Sequence, residues 1–275
     1  MADPQRLQKL ARAPEGAIRL AEAALWIATG EYPDLDIAAW LRILDALGRR
    51  AAERVTSGMP AGASAAALNA FLFEEEGFRG NAEDYHDPRN SFLNDVLERR
   101  LGIPITLSVV YIEVAAAAGL TVRGIGLPGH FVVRLEHQGE AKLLDPFHRG
   151  RSLTHADCHA LVQRVSGAGV PFDPGYLRPV TTREIVVRMF RNLKGIYLAR
   201  GDWARALRAV EPICLLAPEA LAERRDRGTI HAKLGESRAA IRDWEAYLQG
   251  EPGASDAEQV RQNLRALRQA LAVLN

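Results

Sequence analysis

Residues 90–120 read NSFLNDVLERRLGIPITLSVVYIEVAAAAGL and contain two predicted helices. The first spans 90–101, because apolar residues recur there at the spacing of one helix face and a glycine follows. The second spans 105–118 and is also followed by a glycine. Apart from Thr106, Ser108 and Glu113 it is strongly apolar on every side, and such a helix is buried on most of its surface. We therefore expect it to lie at the centre of a core.

The chain beyond this helix changes to the period of β-strands. Residues 120–127, 131–136 and 142–144 are rich in β-branched and aliphatic side chains and are separated by turn-forming segments. The last two are predicted to form an antiparallel hairpin. Helices followed by a small antiparallel sheet predict an α+β fold.

The flanking sequence predicts how the chain is divided. Two helices are predicted within 14–55, and the glycine- and proline-rich stretch 167–179 is the best candidate for a linker. We predict three parts. Residues 1–80 form a helical segment that packs on the core, 81–178 form the core, and 179–275 form an all-α repeat unit.

The C-terminal part contains an internal repeat. Three pairs of residues are 34 positions apart: Gly201 and Gly235, Leu207 and Ile241, and Pro218 and Pro252. This spacing is typical of tetratricopeptide repeats, helical hairpins that hold a protein or peptide partner. Two such repeats are fewer than normally stand alone, so we expect them to pack on the helix predicted at 183–200, on that predicted at 257–274, or on the middle part of the chain.

Composition excludes several classes of function. The chain has 35 Lys and Arg against 34 Asp and Glu, a balance that gives no long-range attraction to nucleic acid or anionic membranes. The two cysteines, Cys158 and Cys214, favour a reducing compartment over a disulfide framework. The N-terminal residues do not resemble a signal peptide, and no segment has the length of a membrane span. We expect a cytoplasmic protein that binds neither nucleic acid nor membrane, and we leave its oligomeric state open.

Three motifs of the middle part are specific: RRLGIPI at 99–105, LPGHF at 127–131 and LDPF at 144–147. Together with the repeats they resemble the SirB-type bacterial family, in which a transglutaminase-like core is joined to tetratricopeptide repeats. The resemblance covers most of the chain. It implies a papain- or transglutaminase-like core with a small antiparallel sheet, and a role in protein interaction or regulation.

The order of elements in this superfamily has a chemical reason. A thiol at the start of the buried helix is stabilised as a thiolate by the positive end of that helix. A histidine on an adjacent strand acts as its base, and a carboxylate on the next strand fixes the histidine tautomer. The resemblance gives these two roles to His130 and Asp145. The thiol position, however, falls on Pro104, which has no nucleophilic atom.

Two hydroxyl groups near Pro104 are alternatives to the missing thiol. Ser108 lies one turn further along the same helix face, and Thr106 is close to it. Ser108 therefore joins His130 and Asp145 as a candidate catalytic residue, unless its hydroxyl bonds its own helix backbone. For His130 and Asp145 themselves, the alternative to a working site is a structural hydrogen-bonded pair. The candidate pocket-lining residues are Asn90, Asn94, Pro104 and Thr106.

One further group of residues has the spacing of metal ligands. His155, Cys158 and His159 share one face of a helix predicted at 154–165, as soft-metal ligands can, and His148 is a candidate fourth ligand. Packing and surface positions are the alternative explanation. We assign no metal ligands and no cofactor from the sequence.

Two functional hypotheses follow from these residues. The first is a non-catalytic or vestigial transglutaminase-like protein that acts in protein–protein interaction or regulation and binds a protein or peptide through its repeats. The second is a hydrolase or acyltransferase in which His130, oriented by Asp145, activates Ser108 or a water molecule. The sequence identifies neither the partner nor a substrate.

Overall fold

The structure is a computed structural model that describes residues 4–56, 58–167 and 171–274. In these ranges the helices are α1 (Pro4–Arg12), α2 (Leu20–Ala28), α3 (Ile37–Ala52), α4 (Ala61–Asn69), α5 (Leu93–Arg99), α6 (Pro104–Ala117), α7 (His155–Ser166), α8 (Thr182–Ala199), α9 (Trp203–Leu216), α10 (Leu221–Lys233), α11 (Ser237–Gly250) and α12 (Ala257–Leu274). The strands are β1 (Arg79–Gly80), β2 (Leu101–Gly102), β3 (Thr121–Ile125), β4 (Val132–His137), β5 (Glu140–Asp145) and β6 (Arg151–Leu153). Residues 168–170 of the predicted linker lie outside the described ranges.

The chain divides into two compact units. Ala13–Met189 forms the unit that contains both small sheets, and the other unit combines α1 with the chain from Phe190 onward. Helices and a small antiparallel sheet, followed by repeat helices, confirm the predicted α+β class. The three-part division at residues 80 and 178 stays a prediction.

Helix α6 is the central helix of the larger unit. Pro104 lies in its first turn, where the missing N–H costs nothing because no helical carbonyl would accept it. The hydroxyl oxygen of Thr106 accepts the main-chain N–H of Ile103 at 3.1 Å and so satisfies a free donor at the helix start. Most side chains of the helix are buried, as its all-round hydrophobicity predicts.

Glu113 is the charged residue of this apolar helix, and it is buried. Its carboxylate accepts from Nε of Arg19 at 2.6 Å and from the main-chain N–H of Ala21 at 2.9 Å. Arg19 also pairs with Asp45 of α3 at 2.8 Å. A carboxylate is tolerated in a core when it is paired and hydrogen-bonded. This carboxylate therefore joins α6 to the start of α2 and, through the arginine, to α3.

The larger sheet has the strand order β3-β4-β5-β6 and is antiparallel throughout. The predicted hairpin is β4–β5, in which Val133 lies opposite Leu144. Its two turn residues, Gln138 and Gly139, have φ values of 51° and 80°, as a two-residue hairpin turn requires. At the other end of the hairpin, the residues before β4 lie beside the residues after β5. The candidate site is built at this end.

The predicted repeat is confirmed in the smaller unit. Helices α9 and α11 begin and end 34 residues apart, at Trp203 and Ser237 and at Leu216 and Gly250. The glycines before them, Gly201 and Gly235, both have positive φ, 67° and 78°, which a tight turn between helices needs. The side chains that join α11 to α12 form one apolar cluster: Ala240, Trp244, Tyr247, Val260 and Leu264.

Candidate functional site

His130 and Asp145 form a buried hydrogen-bonded pair. Nε2 of His130 lies 2.8 Å from Oδ2 of Asp145, and the two side chains are 10% and 1% exposed. His130 lies in the turn before β4 rather than in a strand, and Asp145 is the last residue of β5. Because β4 and β5 pair with each other, these two positions become neighbours. The structure thus brings together two of the three candidate catalytic residues.

The turn that carries His130 is held by Arg188 of α8. Nη2 of Arg188 donates to the main-chain oxygens of Leu127 and His130, both at 2.6 Å. Its guanidinium carbon lies 5.4 Å from the centre of the Phe131 ring. Gly129, within the turn, has a φ of 67°, a conformation that glycine adopts without strain. The main chain is therefore fixed at both ends of the turn.

Both oxygens of Asp145 accept hydrogen bonds. Oδ1 accepts from the main-chain N–H groups of Phe147 and His148 at 3.1 and 3.4 Å, and Oδ2 also lies 2.7 Å from Nδ1 of His148. Pro146 begins the short 3-10 turn that brings this second imidazole to the carboxylate. Burial by itself raises the pKa of Asp145, but the hydrogen bonds and charges of His130 and His148 outweigh it, so the pKa lies below its ordinary value.

The site reaches solvent at His148, whose side chain is 52% exposed. The ring of Phe147 meets both imidazoles edge to face, with centroids 6.3 Å from His130 and 5.2 Å from His148. Gly80 of β1 lies against this phenyl ring, and a Cβ atom there would be 2.6 Å from two of the ring carbons. Position 80 therefore has no room for a side chain unless Phe147 moves.

The candidate nucleophile Ser108 is engaged elsewhere. It is fully buried, and its hydroxyl donates to the main-chain oxygen of Pro104 at 2.8 Å. This is the backbone hydrogen bond given above as the alternative, and no hydrogen bond joins Ser108 to His130 within the described residues. Thr106 is also buried, and its hydroxyl donates to the main-chain oxygen of Asn90 at 2.7 Å. Both hydroxyl groups of this helix turn are thus bonded to main chain.

Asn90 and Asn94 are both buried. The side-chain amide of Asn90 donates to the main-chain oxygens of Asp84 and Tyr85 at 2.7 and 3.3 Å, and its oxygen accepts from Asn81. It therefore organises the loop that precedes α5. Oδ1 of Asn94 has no hydrogen-bond partner in the described part of the chain. A pocket lined by these two side chains stays a prediction.

The two cysteines are the other possible sources of a nucleophile. Cys158 is buried in an apolar cluster with Val132 and Leu153, and burial raises the pKa of its thiol to about 11. Cys214 belongs to the other unit, and burial likewise raises its pKa to about 11. Across the described ranges, neither thiol is hydrogen-bonded to His130. Thiols with such pKa values are protonated and unreactive near neutral pH.

The three residues of α7 that have the spacing of metal ligands do not form a ligand cluster among the described residues. Cys158 points into the apolar cluster, whereas the ring of His159 lies 5.5 Å from that of Phe172. Among the residues that the structure describes, a different set brings its ligand atoms within 4.8 Å of one another: His130, Asp145 and His148. Two imidazoles and one carboxylate can hold a transition-metal ion.

Two residues of this site have roles that we did not predict from the sequence. His148 follows Asp145 by three positions with a proline between them, and this Asp-Pro-x-His spacing is a local signal that a tight turn brings the imidazole back to the carboxylate. Arg188 lies 58 residues beyond His130, in a helix that the sequence pattern joins to the repeats. No local pattern connects those two positions.

Comparison with known proteins gives the class of the chain. A model of the transglutaminase-like superfamily matches residues 38–191, and a tetratricopeptide repeat model matches residues 193–265. A UPF0162 protein of Xylella fastidiosa is 38% identical over 93% of this chain and 92% of its own length. A UPF0162 protein of Pseudomonas aeruginosa is 32% identical over 90% and 89% of the two chains. The chain therefore belongs to the transglutaminase-like superfamily and, within it, to the UPF0162 family.

A more distant likeness covers part of the chain. The mouse F-box only protein 21 is 33% identical over 49% of this chain, which corresponds to 22% of its own length. No solved structure matches the chain significantly. Within the described residues, no helix combines the length and the apolar character that crossing a membrane requires.

Proposed function

We propose that this chain is a protein-interaction protein whose transglutaminase-like core is non-catalytic. The observation that carries the proposal is Pro104. The first turn of α6, where an enzyme of this superfamily needs a thiol, holds an imino acid without a nucleophilic atom. On this proposal, His130 and Asp145 are a retained pair that joins the turn before β4 to the end of β5.

The hydrogen bonds around α6 support this view. The hydroxyl of Ser108 donates to Pro104, so attack on a substrate would first require loss of that bond. The two thiols have raised pKa values, which disfavours the reactive thiolate. A cysteine is thus absent from the first turn of α6, and the nearby serine hydroxyl is hydrogen-bonded to the main chain.

The repeat unit supplies the binding surface on this proposal, because stacked helical hairpins form continuous surfaces that hold protein or peptide partners. Nζ of Lys194 lies 2.5 Å from Glu223 and 2.6 Å from Asp226, and Nε of Arg191 lies 2.8 Å from Glu223. Lys194 and Glu223 are both buried. These ion pairs fix α8 beside α10, so they set the relative position of two helices of the surface.

One observation favours a second candidate, a hydrolase or acyltransferase. The His130–Asp145 hydrogen bond is intact, and this geometry is that of a general base with its orienting carboxylate. In that mechanism His130 would take a proton from Ser108 or from water, and Asp145 would stabilise the resulting imidazolium. Water is the simpler nucleophile, because it needs no rearrangement of α6.

A chemical experiment separates the two candidates. The full-length protein and its His130→Ala variant are treated with a panel of acyl and peptide ester probes and analysed by intact mass. We expect neither protein to gain an adduct and both to hydrolyse the probes at the buffer rate. Labelling or turnover that is present in the wild type and lost in His130→Ala would defeat the non-catalytic proposal.

A second experiment tests the interaction role directly. Cells that express the tagged full-length protein are treated with a short lysine-reactive crosslinker, and the crosslinked partners are identified by mass spectrometry. We expect one set of crosslinks that persists in His130→Ala and is lost in Lys194→Met, which leaves two carboxylates of the repeat unit unpaired. Crosslinks that persist unchanged in Lys194→Met would contradict binding through the repeats.

Three finer expectations belong to the same proposal. They are membership of the SirB-type group, a regulatory role in the cytoplasm, and a working division of the chain at residues 80 and 178. The bacterial relatives and the joined core and repeat matches support the first of these. The other two rest on the sequence patterns described above.

A further inference from the structure

One carboxylate oxygen of Asp145 is hydrogen-bonded to two imidazoles, whereas a catalytic His–Asp pair requires only one imidazole. Oδ2 lies 2.8 Å from Nε2 of His130 and 2.7 Å from Nδ1 of His148. We propose that these three side chains bind a divalent transition-metal ion of the zinc class. The proposal goes beyond the interaction role, concerns ion binding alone, and does not depend on whether the core is catalytic.

The two nitrogen–oxygen distances are close to those of an ion site, and all three ligand atoms lie within 4.8 Å of one another. In a tetrahedral zinc site the ligand atoms are about 2.0–2.2 Å from the ion and therefore about 3.3 Å from one another. The two hydrogen bonds at Oδ2 would have to lengthen by roughly half an ångström to admit the ion. Rotation of the exposed His148 side chain would lengthen its own contact with Oδ2, and a small rotation of the His130 ring would lengthen the other.

The chemistry of the ligands is also suitable. An imidazole binds a metal through a nitrogen that carries no proton, so His130 would hold its proton on Nδ1 and His148 on Nε2. Metal binding therefore requires each neutral imidazole to move its proton from the nitrogen that faces Asp145 to the other ring nitrogen. Imidazole nitrogen prefers zinc, iron, copper and nickel over magnesium and calcium, which favour oxygen ligands.

The ligands are held in place by contacts that do not involve the ion. Oδ1 of Asp145 accepts two main-chain N–H groups, so the carboxylate keeps Oδ2 directed at the imidazoles. Arg188 fixes the main chain at His130 through two hydrogen bonds. Such supporting contacts reduce the reorganisation that binding costs and raise metal affinity.

The coordination is open. Three protein ligands leave a fourth position of a tetrahedral ion free for water or for a donor atom of a bound molecule. That position faces the solvent side of the site, because His148 is half exposed whereas Asp145 is fully buried. The expected ligand set is therefore two nitrogens, one carboxylate oxygen and one exchangeable group.

Direct titration tests the proposal. Full-length protein, with its purification tag removed and its metals extracted, is titrated with zinc by calorimetry and with cobalt(II) by visible absorption. We expect one equivalent of either ion, and cobalt bands of four-coordinate nitrogen and oxygen ligation. The His148→Ala variant should bind about 100-fold more weakly, at least as large a loss as supporting residues of metal sites cause. The melting temperature and circular dichroism of the metal-free variant check that it is folded, so that a loss of affinity is not a loss of structure.

The matched control is His155→Ala, which removes another exposed imidazole from the same unit. We expect its affinity to equal that of the wild type. Wild-type protein that binds no stoichiometric ion, or His148→Ala that binds as tightly as the wild type, overturns the proposal. An equal loss in His155→Ala also overturns it, because it would indicate unspecific binding to surface histidines.

Discussion

Nη2 of Arg188 lies 2.6 Å from the main-chain oxygen of His130. The same nitrogen also donates to the main-chain oxygen of Leu127, so one charged group bonds both ends of the turn that carries the imidazole. A guanidinium has a fixed, planar set of donors and suits this arrangement better than a flexible ammonium group does. The position of His130 thus depends on a helix that is distant in sequence.

The first prediction concerns this arginine. Arg188→Met keeps a long side chain beside Phe131 but removes both hydrogen bonds to the turn. We expect the free energy of unfolding to fall by about 1.5–3 kcal/mol, the usual contribution of hydrogen bonds from a charged group. Urea denaturation measures the change, with Arg183→Met, an exposed arginine of the same helix, as the control. Equal losses in the two variants would contradict a specific role for Arg188.

The second prediction compares two neighbouring hydroxyls of α6. Ser108 makes one hydrogen bond to its own helix, so Ser108→Ala should cost less than about 1 kcal/mol. Thr106 accepts from the N–H of Ile103 and donates to Asn90, so Thr106→Ala should cost about 1–3 kcal/mol because buried partners lose their bonds. Denaturant unfolding of both variants tests the order, and Thr106→Ser should recover much of the loss. A larger cost at Ser108 than at Thr106 would be inconsistent with the hydrogen bonds described here.

The third prediction concerns the buried charge of the central helix. Glu113→Gln keeps an oxygen that can accept from Ala21 but removes the ion pair with Arg19. Breaking a fully buried pair costs about 3–5 kcal/mol, and because Arg19 is partly exposed and keeps Asp45, we expect about 2 kcal/mol. Thermal and urea unfolding measure it. Glu98→Gln, at an exposed position, serves as the control and should change stability little.

The fourth prediction is a pH dependence. Burial raises the pKa of Asp87, but hydrogen bonds from Arg89 and the charges of Arg89 and Arg99 outweigh it, so the folded-state pKa is lowered. A carboxyl whose pKa is lowered on folding stabilises the protein above its unfolded pKa, about 3.9, and loses this contribution as the pH falls through the folded value. Asp87→Asn should therefore be less stable than the wild type at pH 6, and the difference should shrink as the pH falls below about 4 toward the lowered folded-state pKa.

Urea unfolding at several pH values between 3 and 7 measures the difference between Asp87→Asn and the wild type. The control is Asp34→Asn, which changes an exposed carboxyl. A difference for Asp87→Asn that stays constant across this range would show that the carboxylate contributes through its shape rather than through its charge.

Features that repeat along the chain were predicted well. The 34-residue spacing located the repeat helices because identical geometry requires the same residue types at the same interval. The buried central helix was evident because a helix without a polar face has to be covered on all sides. The hairpin was evident from the change to strand-forming segments around the turn at Gln138 and Gly139.

Features set by tertiary contacts could not be predicted. The helix predicted at 90–101 is shorter and spans Leu93–Arg99. A 3-10 turn at Pro88–Ser91 precedes it, and it ends because Arg100 has a left-handed backbone conformation. The hydroxyl of Ser108 could donate to the main-chain oxygen of Pro104 or to His130, and sequence spacing does not decide between these acceptors. The contact of Arg188 with His130 links two segments with no shared pattern.

Gly80 lies against the ring of Phe147, and that ring contacts both His130 and His148. The size of residue 80 therefore affects the distance between the two imidazoles. A single methyl group at position 80 would displace the phenyl ring of Phe147. His148 directly follows Phe147 in the chain. The phenyl ring contacts both imidazoles, whereas Arg188 fixes the main chain at His130, so the larger shift is expected at the exposed ring of His148. We therefore expect the spacing of the two imidazoles to respond to position 80, which contributes no functional group of its own.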